Sequence, residues 1–192
     1  MYGVILKDPG GGLMPFVNRA FPDLTPDDVY SHWLKGNVGE LSSEDFFRIL
    51  GYGGDLKTVE REYLETIEID EGFYAAAAAL RKRFRLALLS NDLSEWSRFL
   101  RGKYGIDYFF DEIIISGDVG IKKPDPQIFL LTLDKMRLRA ADCIYIDDRR
   151  RNLAAAASVG MDVILYNSRN VEYAGKTVNN FGELLGALNG NR

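Results

Sequence analysis

The residues Ile144-Tyr145-Ile146-Asp147-Asp148 end an apolar run in two adjacent carboxylates. A strand of such composition is buried, so the two acids sit at the rim of a sheet, close enough to repel one another. That repulsion is costly unless a cation lies beside them. A second apolar run, Val4-Ile5-Leu6, leads through Lys7 to Asp8 and then to Pro9-Gly10-Gly11-Gly12. Two strands that both finish in carboxylates suggest one shared site for a hard divalent metal. Two further stretches carry polar residues where a strand should end. Ser90-Asn91 follows Leu88-Leu89, and Lys122-Lys123-Pro124-Asp125-Pro126 follows the apolar Ile113-Ile114-Ile115. Each alone is an ordinary helix cap or solvated loop. In this order, each at a strand terminus, they form a constellation.

The elements that must hold these residues alternate. Strands are expected over residues 3–7, 85–89, 113–115, 143–146 and 162–166. Helices are expected over 73–82, 93–104, 126–136, 152–159 and 181–188. Strands too apolar to face water, separated by helices, imply an α/β fold with a Rossmann-like parallel sheet covered by helices on both faces. Ligands in such folds bind outside the carboxyl ends of the strands. Residues 15–72 read as helical with no strand of their own. Thr25-Pro26-Asp27-Asp28 is one helix start, and Ser42 or Ser43 caps another. This gives a division into a core of residues 1–14 and 73–192 and a small helical cap of residues 15–72, inserted after the first strand and able to close over the sheet edge.

Composition sets limits. The chain has 192 residues, 46% of them hydrophobic, enough for a real core. With 24 basic and 28 acidic residues the net charge is -4, which argues against a general nucleic-acid-binding role. The single cysteine, Cys143, excludes an intramolecular disulfide and fits a reducing, cytoplasmic compartment. No signal peptide and no membrane span is expected. The composition is silent on oligomeric state.

The ordered set resembles the haloacid dehalogenase superfamily of aspartate-nucleophile hydrolases, in the branch with a helical cap after the first strand. The matching pieces are residues 4–13 around Asp8, then Leu88-Leu89-Ser90-Asn91, then Lys123-Pro124-Asp125-Pro126, then Ile144 to Asp148 with Asn152 after it. Gly39-Glu40-Leu41-Ser42 and Phe46 extend the likeness into the cap. The resemblance implies a Mg²⁺-dependent phosphatase acting on a small phosphorylated metabolite through an aspartyl phosphate. By the same resemblance Asp8 is the nucleophile, and Mg²⁺ is held by Asp8, the Gly10 carbonyl and one or both of Asp147 and Asp148. Ser90, Asn91 and Lys123 bind the phosphoryl group. Family phosphatases usually carry a second aspartate two residues after the nucleophile, as general acid and base. Here that position is Gly10, so a slow or inactive binding protein is an alternative. A metal-independent 2-haloacid dehalogenase is a third, disfavoured by the Asp147-Asp148 pair. Lys7 in place of an apolar residue either neutralises the carboxylate cluster or points away at a sheet edge.

Overall fold

The computed structural model describes residues 1–9, 12–20 and 24–189. In chain order they form β1 (Leu6–Lys7), α1 (Leu13–Ala20), α2 (Pro26–Gly36), α3 (Ser43–Ile49), α4 (Leu56–Glu65) and β2 (Glu68–Ile69). Next come α5 (Gly72–Leu80), β3 (Ala87–Ser90), α6 (Ser94–Tyr104), β4 (Glu112–Ile115), α7 (Ser116–Val119) and α8 (Pro126–Met136). The chain continues through β5 (Ile144–Asp147), α9 (Arg150–Ser158), β6 (Asp162–Tyr166), β7 (Thr177–Val178) and α10 (Phe181–Asn189).

The parallel arrangement expected from the apolar strands is present, in two pieces. β3 pairs with β4, Leu88 opposite Ile113 and Ser90 opposite Ile115. β5 pairs with β6, Ile144 opposite Asp162 and Asp147 opposite Leu165, and β7 continues that sheet. Leu88, Ile114, Ile115, Ile164 and Leu165 are buried, as strands covered on both faces must be. The covering helices contribute Trp96 and Leu100 from α6, Ile128 and Phe129 from α8, and Leu153 and Ala156 from α9.

The first strand departs from expectation. Residues 3–5 form a turn, in which the amides of Val4, Ile5 and Leu6 all donate to the Met1 carbonyl, at 3.3, 2.9 and 3.1 Å. Gly3 takes φ 81°, a left-handed value that ends any extended run there. Only Leu6 and Lys7 are extended, and they pair antiparallel with Ile69 and Glu68 rather than joining the parallel sheet. The strand β2 also corrects the reading of residues 15–72 as strandless.

Within that segment the local chemistry is as read. Thr25 caps α2 in a reciprocal box with Asp28, Pro26 holds the first turn, and Ser42 caps α3 by accepting the Asp45 amide at 3.1 Å. The aromatic positions of these helices are core. Phe46 and Phe47 are fully buried, and Phe46 meets Trp96 of α6 edge-on at 5.8 Å. Tyr63 lies 5.1 Å from the same indole. One hydrophobic cluster therefore runs from α3 and α4 into α6 and on to α5 and α10.

Candidate active site at the carboxyl ends of the strands

Ser90 and Asp147 are the last residues of β3 and β5, and Lys123 follows α7 in the loop before α8. All three line a cavity of about 710 Å³, together with Asp8, Asn91, Asp148 and residues of α2 and α4. Lys123 Nζ donates to Asp147 Oδ2 at 2.9 Å and to the Leu89 carbonyl at 2.9 Å. Both partners of this ion pair are buried. The Tyr145 hydroxyl also donates to Asp147 Oδ2. Oδ1 of Asp147 accepts the Arg149 amide at 2.8 Å and the Asn152 side-chain amide at 3.0 Å. Burial alone would raise the Asp147 carboxyl. The Lys123 ammonium and the three other donors outweigh it and hold the group well below the usual carboxylate range. Burial and the Asp147 charge push the Tyr145 phenol well above its ordinary value, so it remains a donor.

Asp148 is buried too, and its Oδ2 accepts from the Arg169 guanidinium. Gly3 packs directly on this carboxylate, and a Cβ there would lie 2.4 Å from Asp148 Cγ. The repulsion between the two acids, which in the sequence argued for a metal, is thus met within the chain by Lys123 on one and Arg169 on the other. Among the described residues, no three His, Cys, Asp or Glu side chains gather into a group able to hold a metal. Asp8 accordingly does not complete a cage with Asp147 and Asp148, and Gly10 lies outside the described residues. A magnesium site does not need such a cage. The ion keeps several waters and is commonly bound by one or two carboxylates plus substrate phosphate. Asp148, with Asp147 beside it, fits that more modest demand.

The remaining expected residues divide. The Ser90 hydroxyl accepts from the Met1 nitrogen at 3.1 Å, so residues 1–3 rather than Asp8 lie against Ser90 and Asp148. Asp8 accepts from the Tyr63 hydroxyl of α4 at 3.3 Å, and its Oδ1 is buried with no hydrogen-bond partner. The Asn91 side chain is engaged with the lysine loop. Its amide donates to the Lys123 carbonyl and its Oδ1 accepts the Lys123 amide, both at 2.8 Å. It positions the lysine loop at the edge of the cavity. Lys7 points away, to Asp70 at 2.9 Å.

Sequence reasoning missed Tyr145, Arg169 and Asp92. Tyr145 was legible, because residues i and i+2 of a strand share a face and Asp147 was already singled out. Arg169 had no signal, being 21 residues away in a loop. Asp92 follows Ser90-Asn91 and is buried. Its Oδ1 accepts the Leu93 amide at 3.0 Å while its Oδ2 has no partner. Burial pushes its carboxyl up to about 7.

A family model described as haloacid dehalogenase-like hydrolase matches residues 12–160. The match begins beyond Asp8. A glyceraldehyde 3-phosphate phosphatase of Methanothermobacter thermautotrophicus is 32% identical over 94 residues, covering 47% of this chain and 41% of that protein. The drimenol cyclase drtB of Aspergillus calidoustus is 26% identical over 159 residues, covering 78% of this chain and 30% of that protein. The chain therefore spans less than half the length of these curated relatives. Among solved structures, a HAD-family enzyme from Bacteroides thetaiotaomicron in complex with magnesium and inorganic phosphate superposes with a TM-score of 0.77 at 15% identity, over 90% of this chain and 93% of that one. A HAD phosphatase from Thermococcus onnurineus gives 0.75 at 20% identity, over 99% and 95%. At these identities the structural likeness establishes the fold.

Proposed function

The chain belongs to the haloacid dehalogenase-like hydrolases, and from that membership we propose that it hydrolyses small phosphate monoesters with Mg²⁺ in the cavity above β3 and β5. One observation carries the reading. A buried ammonium, a hydroxyl and two carboxylates from separate strand ends, Lys123, Ser90, Asp147 and Asp148, line a single cavity. Phosphate esters resist attack because their oxygens repel an anionic nucleophile. Fixed positive charge and hydrogen-bond donors remove that obstacle. Lys123 and the Ser90 hydroxyl bind the phosphoryl oxygens, and Asn91 holds Lys123 in place through two backbone bonds. Mg²⁺ is held at Asp148 and Asp147, and when bound it neutralises charge on the phosphoryl group. The helices of residues 15–72 act as the cap that bounds the leaving group. A cavity of about 710 Å³ suits a metabolite such as a sugar phosphate or a nucleotide.

Asp8 is the proposed nucleophile, because it keeps an unpartnered oxygen in the cavity wall. The second reading, binding of Mg²⁺ and phosphate without turnover, is favoured by a specific observation. Lys123 pairs with Asp147 and not with Asp8, and Asp8 stands outside any metal-holding group. Wild type and Asp8→Asn, compared on a panel of phosphate monoesters with Mg²⁺, separate the two. The panel includes glyceraldehyde 3-phosphate. Loss of turnover by about 100-fold or more in the variant is expected for a nucleophile. Equal turnover in both removes Asp8 from the mechanism. Calorimetric Mg²⁺ binding without turnover in either supports the binding reading. Halide release from a 2-haloacid, unaffected by EDTA, would replace both.

A further inference from the structure

We propose that the same cavity carries a second subsite, around Asp92 and Asn37, that takes an ammonium group, so that the preferred substrates are phosphate monoesters of short amino alcohols. The inference rests on the proposed phosphate site at Lys123 and Ser90 and names the leaving group that this site serves.

Among the described residues, buried side-chain polar atoms without a hydrogen-bond partner gather on the wall of this cavity. They are Tyr2 Oη, Asp8 Oδ1, Asn37 Oδ1, Asp92 Oδ2 and Asn152 Oδ1, with His32 Nδ1 alone outside its lining. Asn152 stands with the phosphate-binding residues, through its bond to Asp147. The others are neighbours of one another. The charges of Asp92 and Asp8 both act on the Tyr2 and Tyr63 phenols. The end of α2 packs on residue 93, where a Cβ on Gly36 would lie 2.9 Å from Leu93 Cγ. Asn37 and Asp92 are the residues adjoining that contact, and they are only 1% and 2% exposed. Oxygens buried so deeply cost free energy unless a donor meets them.

The unmet atoms are acceptors for the most part, and the charge around them is negative. The Asn37 amide nitrogen is already taken by the Trp33 carbonyl at 2.7 Å, which leaves only its oxygen. Asn37 also caps the C-terminus of α2, where helix carbonyls carry partial negative charge. The cations whose charge reaches Asp92 are committed elsewhere. Arg101 pairs with Asp107 and Ser97, and the Met1 nitrogen donates to Ser90. Burial pushes the Asp92 carboxyl up to about 7, and a cation beside it would offset that cost. A positively charged donor is what this wall lacks.

An organic cation fits better than a metal ion. Among the described residues, no three His, Cys, Asp or Glu side chains gather here. Aromatic rings do: Trp33, Tyr63 and Trp96 line the cavity, and Tyr63, which donates to Asp8, lies 5.1 Å from the Trp96 indole. Aromatic faces attract alkylammonium groups, whereas a hard divalent ion requires more oxygen ligands. Lys123 and Lys122 supply positive charge to the same lining, so one cavity offers both signs. The two subsites are close in the chain. Ser90 and Asp92 are two residues apart, a backbone span of at most about 7 Å. A ligand that reaches both therefore joins its phosphate to its ammonium through a short spacer of about two or three carbons.

The test is calorimetric binding with Mg²⁺ present, using phosphonates, which resist hydrolysis and so need no turnover. Three probes of nearly equal size are compared: 2-aminoethylphosphonate, 2-hydroxyethylphosphonate and propylphosphonate. Wild type is expected to bind the amino probe about 10-fold or more tightly than the propyl one, with the hydroxyl probe near the propyl value. Asp92→Asn keeps the shape of the side chain and an oxygen for the Leu93 amide, and is expected to bring the ratio of amino to propyl affinity close to one. Equal affinity of wild type for all three probes would overturn the ammonium subsite and leave the phosphate site standing. An equal gain from the hydroxyl probe would overturn it as well, because the subsite would then serve neutral donors. A preference for the amino probe that survives Asp92→Asn would place the cation elsewhere and overturn the assignment to Asp92. Failure of wild type to bind any of the three, or inorganic phosphate, would remove the phosphate site and this inference with it.

Discussion

Lys123 and Asp147 are each buried, so neither can be removed without exposing the other to an apolar surrounding. Breaking a buried pair from one side typically costs about 3–5 kcal/mol. Lys123→Met is therefore expected to lower stability by that order at pH 7, read by urea unfolding. The acid dependence has a definite sign. Asp147 is held below its unfolded value, so its contribution is complete above about pH 4. It is lost as the pH falls through the lower folded value. Wild type should lose stability over that acid range, and Lys123→Met should lose less. Asp92 has the opposite sign. Its folded value is raised to about 7 by burial, so the folded state holds a proton that the unfolded chain has already released. Its stabilising effect is present below about pH 4 and disappears as the pH rises toward 7. Asp92→Asn should be more stable than wild type at pH 7.5, by at most about 4 kcal/mol, with the margin vanishing near pH 4. A wild-type stability that is flat between pH 4 and 7 would contradict this. At this scale the sequence was legible where strand alternation or strand termini marked a residue, as with Ser90, Lys123, Asp147 and Tyr145. Arg169 and the unpartnered oxygen of Asp92 depend on tertiary contacts that leave no local pattern.

Among the elements, the union of α3 with α6 decides whether the helices of residues 15–72 stay over the cavity. Phe46 is its centre, fully buried and in contact with both Phe47 and Trp96. Phe46→Ala is expected to cost about 3–5 kcal/mol through the cavity it leaves. The loss would show in denaturant unfolding and in faster proteolysis within residues 26–65. A change under about 1 kcal/mol would mean that the helices are held by other contacts. Capping chemistry made two of these helices readable, since Thr25 and Ser42 each stand at a helix start, whereas α4, capped by Asp55, was not singled out. The first strand was misread for a physical reason. A short apolar run such as Val4-Ile5-Leu6 does not by itself distinguish a strand from a turn. Gly3 at positive φ and the Met1 carbonyl as a triple acceptor settle it as a turn. Asp8 therefore follows an antiparallel pair rather than a parallel strand, and its carboxylate accepts from Tyr63.

For the whole molecule, alternating apolar strands and helices made the α/β class readable from the residues, and the structure and its likeness to solved folds bear it out. Among the described residues, no helix is long and apolar enough to cross a membrane. What the sequence could not convey is that the parallel sheet is divided, because pairing is a property of neighbours in space. The central claim is that the carboxylates at the end of β5, with Lys123 and Ser90, make a magnesium-assisted phosphate site. The most direct measurement is phosphate release from a panel of monoesters by wild type and Asp148→Asn, each with Mg²⁺ and with EDTA. The account predicts release by wild type that needs Mg²⁺ and falls by about 100-fold or more in the variant. Release that survives EDTA, or that Asp148→Asn leaves unchanged, would contradict it.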